Sequence, residues 1–218
     1  MEINISIRSC LKNNCKESMN WREQVAQLEH EGNFDIAVFL LEKIIQEHAD
    51  EMDAYIILLH RFTDSILENP CYWSNVSADP LKKIKEEYYD DKIEHDYRER
   101  AQHCFDESYA RFSDNPEYLY YASRLLLHAY DFMCMKVKES LLISMETKAR
   151  ASGYNSFIEQ SSPKNEHDAE WAKRILNDPS IQEQLATKGA AAEYVIGREV
   201  SWAKKILEDA HKDKAESK

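Results

Sequence analysis

Glycine and proline are scarce, with four of one and five of the other. These two residues mark most turns, so loops are expected to be short and helices long. Alternating β-branched runs between turn residues, the mark of strands, are missing. So is any stretch approaching the ~20 apolar residues needed to cross a bilayer. The opening MEINISIRSCLKNNC has no long apolar core and no small-residue cleavage pattern, so it does not read as a secretory signal. The five cysteines (Cys10, Cys15, Cys71, Cys104 and Cys134) are odd in number and scattered. Without an export signal they read as reduced thiols, and the expected location is the cytoplasm.

Catalytic motifs are equally sparse. Four scattered glycines cannot build a phosphate-cradling loop, and there is no His-Glu-x-x-His or Cys-x-x-Cys. Cys10 and Cys15 have no further ligand at metal spacing. His103 and Cys104 are adjacent within an expected helix, where neighbours point in different directions. They read as a surface histidine and a core cysteine. No catalytic residue, metal ligand or cofactor is expected. Acidic pairs are too abundant for any one to be informative.

Basic charge is also short, with 28 Lys and Arg against 40 Asp and Glu, a net charge of −12. A nucleic-acid binder needs a concentrated basic footprint. The one short run, Lys82-Lys83-Ile84-Lys85, is followed at once by acid. An acidic chain suits a basic protein partner, whose approach opposite charge accelerates.

What is present is helical periodicity. Trp21, Leu28, Gly32, Phe34, Ala37 and Leu41 mark two helices around a corner. Trp21 and Leu28 face inward, Gly32 permits the positive φ that ends a helix, and Ala37 is small where two helices cross. Leu41, Ile44 and Ile45 continue the buried stripe. Thirty-four residues after Trp21, the pattern restarts with Tyr55, Leu58, Leu59 and Phe62. The next crossing alanine is expected at 71, but Cys71 lies in the loop-like ENPCYWSNVSADP. Its match, Ala101 with Phe105, comes 30 residues later, which implies an insertion within about 68–97. The register then resumes: Phe132 falls where Phe34 predicts, and Asn115-Pro116-Glu117 has the composition of a helix start. Small Ser123 takes the place of a glycine.

Residues 18–152 thereby resemble the tetratricopeptide repeat family. Trp21 and Ala37 match its signature, while Gln24, Val25 and Ala49 replace the usual Leu, Gly and Pro. Met135 and Glu139 stand where an alanine and a large apolar residue are usual, so the array is expected to be distorted there. The resemblance implies an all-α fold: antiparallel helical hairpins in a right-handed solenoid whose first helices line the concave face. Residues 1–17 form an N-terminal segment. A polar break at Gly153 to Pro163 precedes WAKRILND (Trp171–Asp178) and its echo WAKKILED (Trp202–Asp209). Helices are predicted over 166–177, after Pro179, and over 189–212. Residues 165–218 are read as a helical cap for the solenoid, packed into the same domain.

Candidate contact residues come from two places. Tyr118, Tyr120 and Tyr121 are nearly consecutive at a helix start, so at least one is expected at a surface, and Tyr118 and Tyr121 are the candidates. The insertion supplies Tyr72 and Trp73, then Glu86, Glu87, Tyr88, Tyr89, Asp90, Asp91, Glu94 and Asp96, an acid run carrying two tyrosines. Acid and aromatic side chains together suit a basic protein surface. The expected function is non-catalytic protein binding, with neither nucleic acid nor membrane as partner. In general character the chain resembles the bacterial immunity proteins of contact-dependent growth inhibition and related polymorphic toxin systems. That resemblance implies binding and occlusion of a cognate basic toxin domain, such as a nuclease. A secretion or assembly chaperone, or a repeat adaptor, is the same class with another partner. The remaining alternative is an enzyme or small-molecule sensor with a helical pocket. Its candidates would be His60, His103 and His128 from different helices.

Overall fold

The corner at Glu31 to Asn33 shows how local sequence shapes this chain. Gly32 takes φ +74°, Asn33 N–H donates to the Leu28 carbonyl at 2.8 Å, and Gly32 N–H donates to Glu29 at 3.0 Å. These two bonds satisfy the last carbonyls of one helix and turn the chain into the next. The computed structural model describes residues 20–67, 91–154 and 169–216. Within them every regular element is a helix.

Chain order gives α1 (Trp21–His30), α2 (Phe34–Glu47), α3 (Met52–Leu67), α4 (Asp91–Phe112), α5 (Pro116–His128), α6 (Tyr130–Met133) and α7 (Glu139–Ala151). Then come α8 (Ala169–Asn177), α9 (Pro179–Lys188) and α10 (Ala190–Glu216). Three helix starts are capped by the side chain that precedes them. Asn20 accepts from Arg22 N–H, Asn115 accepts from Glu117 and Tyr118 N–H, and Asp178 accepts from Ser180 N–H. Each such cap is worth about 1 kcal/mol.

Sequence neighbours pack on one another: α1 on α2, α2 on α3, α3 on α4 and α5, and α5 on α7. Ala37 and Ala101 are fully buried, and Phe105, Tyr55 and Phe62 are buried in the same core. Burying a side chain such as Phe62 contributes about 2 to 3 kcal/mol. Buried Arg61 of α3 pairs with Glu29 of α1 at 2.9 Å, and Arg100 of α4 pairs with Glu42 of α2 at 2.7 Å. Helix is interrupted near Met135. Helix α6 stops after four residues, Cys134 adopts φ +50°, and α7 does not begin until Glu139.

Central α3 touches α2, α4, α5, α6, α9 and α10. The C-terminal helices therefore pack against the centre of the fold. Helices α9 and α10 lie against α3, and α10 also meets α5, the helices that correspond to the expected concave side. The two echoed segments meet each other, with the Trp171 and Trp202 rings 5.5 Å apart; Trp171 is buried and Trp202 exposed.

Candidate binding cleft

The starts of α1, α3 and α5 supply charge to one cleft. Arg22, Glu51, Met52, Asp53 and Glu117 line it from these starts, Gly153 and Tyr154 from the end of α7, and Ser180, Glu183, Gln184, Thr187 and Lys188 from α9. Its volume is about 610 Å³. Acidic residues belong at helix starts, where the backbone dipole is positive. That local preference puts Asp53 and Glu117 on the cleft wall.

At its floor sits Lys188, whose side chain is 4% exposed. Its ammonium lies 3.1 Å from Asp53 Oδ1 and 2.6 Å from Glu117 Oε1. Arg22 donates to Asp53 Oδ2 at 2.7 Å and to Glu51 Oε2 at 3.1 Å. Asp53 thus serves two cations, and Tyr154 donates to Glu117 at 3.0 Å. Burial, then the nearby Glu117 charge, pushes the Tyr154 hydroxyl above its ordinary range. The turn at Gly153 repeats the α1 device. Gly153 has φ +81°, its N–H donates to Arg150, and Tyr154 N–H donates to Ala149 at 3.3 Å, which fixes where the tyrosine leaves the helix. Four carboxylates against two cations leave the lining acidic.

A smaller cavity, about 320 Å³, is lined by Arg124, Leu127, His128, Glu146, Tyr194 and Val195. His60 of α3 and His128 of α5 both set their rings edge-on to Tyr194, each with centroids 5.2 Å away. Two of the three candidate histidines therefore converge, while His103 lies exposed on α4. His60 is poorly suited to proton transfer near neutrality. Burial, then the adjacent Arg61 charge, pushes its pKa down to about 3, and the Arg61 guanidinium donates to its Nδ1 at 3.0 Å. Burial pushes the Tyr194 hydroxyl up to about 12, with the Asp64 charge adding to it. Burial would raise Glu146, but Arg150 and Arg124 donate to it at 2.6 and 3.3 Å and hold it below its ordinary value.

Cys104 is a core cysteine, as expected. Its thiol is raised by burial first, then by the Glu107 and Glu42 charges, which suppresses the thiolate. Among the described residues no group of His, Cys, Asp and Glu could hold a metal ion.

The expected contact residues divide three ways. Tyr118 and Tyr121 are fully buried and Tyr120 nearly so, which removes the tyrosine start of α5 from the surface. Consecutive positions are all covered because α5 is packed from several directions, by α3, α4, α7 and α10. Tyr118 shares a 2.7 Å hydrogen bond with buried Ser108, and Tyr121 donates to Gln184 at 2.8 Å. Asp91, Glu94 and Asp96 belong to the first turns of α4, continuous with Ala101 and Phe105. Tyr97, the last residue of the expected insertion, packs against Phe62 with ring centroids 5.6 Å apart and so joins the helical core. Tyr72, Trp73, Glu86, Glu87, Tyr88, Tyr89 and Asp90 lie outside the described residues.

Sequence reasoning did not find Lys188, Asp53, Glu117 or Tyr154. One signal was available for Lys188: Ile181, Gln184 and Lys188 follow the i, i+3, i+7 spacing of a buried stripe, and all three are buried. Among the described residues no helix is long and apolar enough to cross a membrane. Compared with protein-family models, curated proteins and solved structures, the chain matches none.

Proposed function

We propose that this protein is a non-catalytic, tetratricopeptide-like binding module for a basic protein, and most specifically an immunity protein that occludes a cognate toxin. The observation that carries the reading is the charge of an all-helical chain: net −12, with its larger cleft lined by four carboxylates and two cations. Such a surface attracts a basic partner at long range and repels nucleic acid. A toxin whose basic cleft receives phosphates would be blocked by an acidic face that takes their place. The mechanism is steric and electrostatic exclusion, with no bond made or broken. The acid run Glu86, Glu87, Asp90, Asp91, Glu94 and Asp96, with Tyr88, Tyr89, Tyr72 and Trp73, is the proposed contact segment.

The test is capture of the tagged full chain from its host cytoplasm at low salt. The expected result is one basic protein at a fixed ratio, lost when Glu86, Glu87, Asp90 and Asp91 are changed together to Lys. A partner that stays bound to the fourfold variant with unchanged salt sensitivity would remove the insertion from the proposal. A chaperone binds the same class of partner, but the partner's activity survives release. An immunity protein suppresses that activity while bound.

A further inference from the structure

We draw no further inference here: the strongest candidate, the acidic cleft of about 610 Å³ between the starts of α1, α3 and α5 and helix α9, belongs to the site already described, its Lys188 and Arg22 are already paired with its own carboxylates, and nothing in the structure shows what would enter it.

Discussion

Replacing Lys188 by methionine removes one charge and keeps most of the side chain's length and apolar contact. In the folded chain that charge is 4% exposed and shared between Asp53 and Glu117. Taking one partner from a buried pair costs about 3 to 5 kcal/mol, since the other charge stays buried and unpaired. Two features place this site at the lower end. Asp53 keeps Arg22 at 2.7 Å, and Glu117, 28% exposed, keeps the Tyr154 hydroxyl at 3.0 Å. The expected loss for Lys188→Met is therefore about 3 kcal/mol, measured by urea unfolding at neutral pH. Lys148→Met is the control. Its partner Asp114 is almost fully exposed, and an exposed pair is worth at most about 1 kcal/mol. Adding Glu117→Gln to Lys188→Met should cost less than the sum of the two changes, by about 1 kcal/mol or more. A Lys188→Met loss no larger than that of Lys148→Met would refute the reasoning, because the ammonium could not then be buried between the two carboxylates.

Acid should expose the buried His60. Its pKa is about 3 in the folded chain against 6.5 ordinarily, so the unfolded chain binds more protons between those values. Stability is therefore expected to fall as pH drops below about 6.5, and the loss from this group saturates near pH 3. His60→Gln should lose less than the unaltered chain between pH 7 and pH 4, by up to about 3 kcal/mol; parallel pH profiles would count against a buried neutral imidazole. Ala37→Leu should destabilise by about 1 to 3 kcal/mol through overpacking at a fully buried crossing, measured as a lower unfolding midpoint. No change there would mean that α2 does not approach its neighbour closely.

Much of the fold was legible because it rests on local chemistry and periodicity. Gly32 could be read as a helix end and Asn115 as a cap from the residues alone, and a buried Ala37, Ala101 and Phe105 followed from the small-then-aromatic helix pattern once an insertion of 30 residues was allowed. The helix interruption between Met133 and Glu139 coincides with the place where Met135 and Glu139 depart from the expected pattern. The docking of α9 and α10 on α3 and α5 was not legible, since the Lys188 to Asp53 pair joins residues 135 positions apart and no spacing rule connects them. Lys188 stands before Gly189 like any lysine in a helix's last turn, where it would be expected to face solvent. The tyrosines of α5 were misplaced for a related reason. Reasoning from one helix assumes one buried face, and α5 is covered on several. The acid and aromatic residues at 72–90 belong to a stretch whose contacts no periodicity specifies.

If this chain works by binding and occluding a basic protein, a titration of the captured partner's own activity with purified chain will show it. Activity is expected to fall to background at a fixed equivalence point, and to remain when the Glu86, Glu87, Asp90 and Asp91 to Lys variant is used instead. Full partner activity at saturating chain, or equal inhibition by the variant, would contradict it.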